Sequence, residues 1–264
     1  MKGNQPRVAV LVFPGTNSED ETARALRAAG LDASLVHWSQ PETLHAFEAF
    51  VLPGGFAYED RIRAGAVAAH DALMDGVVDA AHDGKFILGI CNGAQILAEA
   101  GLVPGTGAVR RPTAAFAPNA GGRYQSLHVH MKLALAPERI PILGGIEPGE
   151  VVSAWASHGD GRLAAPDDEL ARIAADHLAF VYCDRAGRPV DAPNGSALGC
   201  AGLVNADGNV LAVMPHPERD AWTYQHLDAD PHAVRAGTDA ALAPSGGIAF
   251  FECFARAVLA EAVV

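Results

Sequence analysis

Short apolar runs alternate with amphipathic stretches through the first half of this chain. Val8 to Phe13 is apolar throughout, as expected of a strand buried on both faces of a parallel sheet. Ser18-Glu19-Asp20-Glu21 then reads as a helix N-cap with a capping box, and Gly30 ends the helix that follows. Ala33 to Trp38 and Ala49 to Leu52 read as further strands, about Ala64 to His82 as a helix, and Phe86-Ile87-Leu88 as the strand leading to Cys91. This order predicts an α/β fold, an open and mostly parallel twisted sheet with helices on both faces. The stretch from Gly101 to about Pro193 is less regular. Within it Tyr124 to Leu135, Val151 to Ala156 and Leu178 to Cys183 read as strands, a smaller antiparallel portion in the middle of the chain. Ala201 to Val204 and Val210 to Met214 return to the core, and Ile248 to Val263 has the spacing of a closing amphipathic helix. With no repeat and no linker, residues 1–264 read as one domain.

Two stretches carry candidate chemistry. Gly89-Ile90-Cys91-Asn92-Gly93 places a cysteine between two glycines after an apolar run, the pattern of a strand-to-helix elbow with sulfur as nucleophile. At the start of the helix expected over Ala94 to Ala100, the dipole and free N–H groups would favour negative charge on that sulfur. Taken alone, the pentapeptide fits a packed strand-end cysteine equally well. Met214-Pro215-His216-Pro217-Glu218-Arg219 changes the balance. Its prolines hold Met214 and His216 extended, so that His216 and Glu218, two apart, share one side. A histidine base oriented by a carboxylate is the partner a cysteine nucleophile requires. The donors for a developing oxyanion would be the backbone N–H groups of Asn92 and of Gly54 or Gly55 in Pro53-Gly54-Gly55.

These motifs together resemble the class I (triad) glutamine amidotransferases. Val12-Phe13-Pro14-Gly15-Thr16-Asn17, Pro53-Gly54-Gly55-Phe56-Ala57-Tyr58, Cys91-Asn92-Gly93-Ala94-Gln95 and Met214-Pro215-His216-Pro217-Glu218-Arg219 are similar to the glutaminase subunits of phosphoribosylformylglycinamidine synthase. The resemblance implies a Cys91-His216-Glu218 triad that hydrolyses L-glutamine. It also implies a cytoplasmic complex of purine biosynthesis, in which a synthetase subunit, with ATP and Mg, takes the ammonia and a small third subunit joins. It implies no cofactor in this chain. Gln95 would help hold glutamine, and His158, in His158-Gly159-Asp160-Gly161, is a second binding candidate. Glu59 departs from the family's PGGFSYGD, where glycine is usual, and the stretch from Asp220 to Gly247 is longer than in many bacterial members. Pro193-Asn194-Gly195-Ser196 matches the family's PNGS but is also a turn signal, structural or partner-facing. Three alternatives stay open: a non-catalytic interaction subunit with a vestigial triad, against which the presence of all three triad types counts, a glutaminase for another pathway, and an intracellular cysteine hydrolase or peptidase on a related sheet. The last usually draws its histidine from beside the nucleophile, where this chain has Asn92.

Charge narrows the partners further. Lys+Arg number 19 against 31 Asp+Glu, a formal net charge of −12, which disfavours nucleic acid or an anionic membrane. The four cysteines are widely spaced without a C-x-x-C pair or a His/Cys cluster of zinc spacing, so neither disulfide nor metal is expected. His128, His130, His226 and the remaining histidines show no ligand spacing. Met1 to Pro6 is polar and followed by only a short apolar stretch, unlike a signal peptide or a membrane span.

Overall fold

In the computed structural model, which describes residues 5–108, 110–226 and 228–262, the apolar runs become strands with both faces covered. β1 (Arg7–Val12), β2 (Asp32–His37), β3 (Ala49–Leu52), β4 (Phe86–Ile90) and, much later, β11 (Val210–Val213) pair in parallel in the order β2-β1-β3-β4-β11. β10 (Cys200–Val204), β9 (Leu178–Cys183), β6 (Gln125–Leu133) and β7 (Val151–His158) extend the sheet antiparallel beyond β11, giving nine strands. β5 (Ala115–Pro118) and β8 (Asp160–Ala164) form a separate antiparallel pair that periodicity does not announce.

The helices α1 (Glu19–Ala28), α2 (Leu73–His82), α3 (Asn92–Glu99) and α6 (Gly246–Glu261) cover the sheet, with short α4 (Asp167–Arg172) and α5 (Pro231–Ala236) in connections. The path runs from β1 outward to β2, then back past β1 to β3 and β4. Right-handed crossovers in opposite directions place α1 and α2 on opposite faces. α6 packs on α1. The crevice for a ligand lies at the carboxyl ends of such strands, where the path reverses.

Three expectations need correction. Gly30 ends α1 at φ +96°, but Ser18 makes no capping bond. Its hydroxyl instead accepts from Arg219 Nη2 at 2.8 Å, so no capping box forms. The helix expected from Ala64 begins at Leu73, preceded by a 3₁₀ turn at Ala68–His70, because Gly65 at φ +80° packs its backbone against Gln95 and Ile96. The final helix starts at Gly246; Val263, its expected last residue, and Met1 to Asn4 lie outside the described residues.

Candidate active site

Cys91 stands between β4 and α3 at φ 52°, ψ −106°, in backbone that non-glycine residues rarely adopt. Its N–H donates to Val213 O at 2.8 Å, which fixes the elbow to the neighbouring strand β11. The two motif glycines permit the crossing of helix and strand. A Cβ on Gly93 would lie 1.9 Å from Leu52 O, and one on Gly89 would lie 2.7 Å from Gly93 O.

Because β11 lies parallel beside β4, the chain leaving β11 passes the elbow. His216 is extended there, and Glu218 lies in a 3₁₀ turn, Pro217–Asp220, rather than continuing the strand. The two side chains still converge: His216 Nδ1 lies 2.5 Å from Glu218 Oε1. Cys91 is 5% exposed, His216 1% and Glu218 0%. His216 is also fixed through its backbone, which exchanges two hydrogen bonds with Trp155 at 2.8 and 3.2 Å. Arg219 pins the turn from the other side, donating to Ser18 Oγ and, at 3.3 Å, to Glu21. Burial alone would lower the His216 pKa, but the Glu218 carboxylate and the Cys91 sulfur outweigh it and raise it to about 9. Burial pushes the other thiols up, Cys183 and Cys253 as well as Cys200, the last to about 12.

Of the predicted oxyanion donors, Gly54 lies against the His216 ring and Gly55 lines the same cleft as Cys91. A Cβ on Gly54 would lie 2.4 Å from His216 Cε1, so only glycine lets the loop meet the ring. Among the described residues neither Gly54 nor Gly55 donates its N–H to a backbone carbonyl outside regular elements. The Asn92 N–H, first in α3, has no partner within its helix.

A cleft of about 140 Å³ opens at Cys91, with Gly55, Asp60, Gln95, Tyr124, His158 and Asp160 in its walls. Larger clefts around His45, Phe47 and Lys85 are lined by no cysteine. The Asn92 side chain joins two walls, accepting from Ala57 N at 2.9 Å and donating to Asp60 at 3.1 Å and to Gln95 Oε1 at 2.9 Å. Gln95 Nε2 in turn donates to Asp160 O at 2.5 Å. His158 is buried with Nδ1 3.1 Å from Asn119 Oδ1, and its Nε2 has no partner among the described residues. Burial and the nearby His216 hold its pKa down to about 4.

Sequence reasoning missed Asp60 and Asp160 as a pair, although both lie inside motifs it had picked out. Burial first, then the Asp160 charge, raise the Asp60 pKa to about 6. PNGS proves structural: Asn194 is buried and donates to Gly161 O at 2.7 Å, while Ser196 Oγ accepts from Leu163 N at 2.9 Å, fastening β8.

A doubly wound sheet that presents a cysteine elbow to a His–Glu pair, beside a small polar cleft, defines a thiol enzyme of the triad amidotransferase class. Residues 5–243 match the CobB/CobQ-like glutamine amidotransferase domain, and the chain belongs to that family. It is 43% identical over 217 residues to the phosphoribosylformylglycinamidine synthase subunit PurQ of Symbiobacterium thermophilum, covering 81% of this chain and 87% of that protein. It is 38% identical over 232 residues to the subunit of the same name from Methanothrix thermoacetophila, covering 83% and 88%. Among solved structures, that of PurLQS from Thermotoga maritima superposes with a TM-score of 0.73 at 30% identity, covering 98% of this chain and 99% of that one.

Proposed function

We propose that this chain is a glutaminase subunit, one amidotransferase domain that hydrolyses L-glutamine to glutamate and supplies ammonia to a synthetase partner making phosphoribosylformylglycinamidine in purine biosynthesis. The observation that carries the chemistry is the buried His216–Glu218 contact at 2.5 Å facing a strained Cys91. Family membership and the PurQ relatives support the pathway.

In this reading the Cys91 thiolate attacks the side-chain carbonyl carbon of glutamine, and the oxyanion is met by the N–H groups of Asn92 and Gly54 or Gly55. His216, raised to about 9, rests as imidazolium near neutral pH and gives its Nε2 proton to the leaving nitrogen. Ammonia departs and a glutamyl thioester remains. Neutral His216 then takes a proton from water, whose oxygen attacks the thioester; collapse expels the Cys91 thiolate and yields glutamate. Glu218 holds the ring in the tautomer that leaves Nε2 toward sulfur. Gln95 lines the substrate's path, and His158, kept neutral, closes one wall without adding positive charge beside the imidazolium.

The paired carboxylates give the cleft a specificity. Asp60 and Asp160 place negative charge where the α-ammonium of a free amino acid would relieve their repulsion. A charge-assisted hydrogen bond is worth about 1.5–3 kcal/mol, so Asp60→Asn should raise KM for glutamine roughly 10–100-fold. Unchanged KM in a folded variant would remove Asp60 from substrate binding.

The partner reading rests on the loop beside the oxyanion donors and its exposed apolar rim. Phe56, Ile62 and Tyr124 are 47%, 87% and 55% exposed. ATP and Mg belong to the synthetase, and this chain carries no nucleotide-binding motif. The deciding experiment treats the purified chain with a glutamine analogue bearing an electrophilic ketone and locates the adduct by peptide mass. Labelling of Cys91, blocked by glutamine, is expected; labelling of Cys183, Cys200 or Cys253 instead would overturn the assignment.

A further inference from the structure

Three residues outside the cleft, His128 and, some ninety residues later, Asp220 and His226, meet beside the turn that carries Glu218. His128 lies on β6, Asp220 ends the turn, and His226 lies in the connection toward α6. One ligand atom from each lies within 4.8 Å of the other two. We infer that His128, Asp220 and His226 form a binding site for a divalent transition metal, zinc being the occupant their chemistry fits best.

The carboxylate supplies the strongest argument. Asp220 is fully buried; its Oδ2 lies 3.3 Å from His128 Nε2, but its Oδ1 has no hydrogen-bond partner among the described residues. A buried carboxylate oxygen left without a donor is costly. A bound cation would satisfy it, and two imidazoles with one carboxylate select a zinc-like ion over magnesium or calcium. The spacing is close to what that ion demands. Ligand bonds of ~2.0–2.1 Å at tetrahedral angles put donor atoms roughly 3.4 Å apart. The His128–Asp220 edge already has that length. His226 lies within 4.8 Å of both and so need close by no more than about 1.4 Å; its Nδ1 accepts from the Asp228 N–H at 3.2 Å. Its side chain is 24% exposed, which leaves an entry path and room for a water as fourth ligand. His130, with its ring centroid 5.2 Å from that of His128, stands just behind the first ligand.

The site's place in the fold gives the ion a structural task. His128 pairs with Trp155 across β6 and β7, Trp155 bridges to His216, and Trp155 Nε1 donates to Gln225 O at 3.2 Å next to His226. A metal here would cross-link β6, the turn bearing Glu218 and the connection after it.

The test uses the full chain carrying Cys91→Ser, because the Cys91–His216 pair is itself a metal trap. Titration with Zn²⁺ by calorimetry, and with Co²⁺ by absorption, should give one equivalent, with d–d bands of a four-coordinate nitrogen and oxygen site and no thiolate charge-transfer band. At free zinc ~100 times Kd, the melting temperature should rise by roughly 5–10 °C. His226→Ala, at a partly exposed position, should weaken binding by more than ~100-fold and erase the thermal shift. Asp220→Asn, which preserves shape, should weaken it similarly. No binding to the Cys91→Ser chain, or undiminished binding by His226→Ala and Asp220→Asn, overturns the inference.

Discussion

At Cys91 the backbone is held in a region that costs a non-glycine residue on the order of 1–3 kcal/mol, and the elbow's glycines and the bond to Val213 keep it there. The thiol serves ammonia release alone in the proposed cycle. Cys91→Ala should therefore abolish glutamine-dependent synthesis by the assembled complex while ammonia-dependent synthesis persists, and loss of both in an intact complex would refute that division. His216→Ala should slow glutamine hydrolysis by ~10²–10⁴-fold, the usual worth of a general acid–base group. A variant of near wild-type rate would move that role to another residue, His158 first. His158 makes its own mark on stability. Its proton comes on near pH 4 in the folded chain but near 6.5 once unfolded. Between those values the unfolded state holds more protons, so the contribution is present above pH 6.5 and is lost as pH falls toward 4, by up to about 3 kcal/mol. Asp60 runs the other way, since its raised pKa contributes stability at low pH that is lost as pH rises through about 6. Denaturation of wild type and His158→Asn across pH 4 to 7 separates the two, and the variant should show the shallower loss on acidification.

Among the elements, the loop after β3 carries the least favourable backbone. Tyr58, Glu59 and Asp60 lie consecutively at φ 53°, 58° and 51°, all left-handed, and Ile62 follows at 73°. The family's glycine would adopt that conformation freely, whereas Glu59 bears the Cβ penalty and its side chain gains in return, among the described residues, only an exposed pair with Arg61 at 2.9 Å. The loop is held closed from both ends: Tyr58 OH donates to Asp71 Oδ2 at 2.5 Å, and Arg63 forks onto Glu99 of α3. Glu59→Gly should accordingly stabilise the protein by about 0.5–1 kcal/mol, the strain relieved less the added entropy of an unfolded glycine. Chemical denaturation reads this directly, and a destabilised variant would mean that the glutamate makes contacts worth more than the strain.

For the whole molecule, a strained loop beside the proposed oxyanion donors, rimmed by exposed Phe56, Ile62 and Tyr124, is a natural point for a partner to act on the proposed catalysis. The isolated chain should be a poor glutaminase, and its kcat should rise by an order of magnitude or more when the synthetase subunit, ATP and the formylglycinamide ribonucleotide are present. Ammonia made without an acceptor is lost, and docking need only reorient a backbone donor to prevent that. Full activity of the chain alone, unaltered by the partner, would point to a free-standing hydrolase. No helix among the described residues is long and apolar enough to cross a membrane.

What the sequence determined by itself is what local chemistry encodes. Continuous apolar runs marked β1, β3, β4, β9 and β11 because burial on both faces leaves no room for polar residues, and glycine-flanked Cys91 and proline-stiffened His216 carried their backbone conformation within a few residues, whereas Glu218 meets His216 through a turn and not through the expected extended alternation. Tertiary structure decided whatever depends on which strands become neighbours. Only the parallel pairing of β4 with β11 brings Cys91 to His216. Only the approach of Arg219 turns Ser18 from a helix cap into a clamp on the turn that bears Glu218. The pairing of Asp60 with Asp160, and the meeting of His128 with Asp220 and His226, have no periodic or motif signal, since each joins side chains from elements whose contact is set by sheet order. A pattern of residues fixes what each segment can bury; the closure of the sheet fixes which buried charges must face one another.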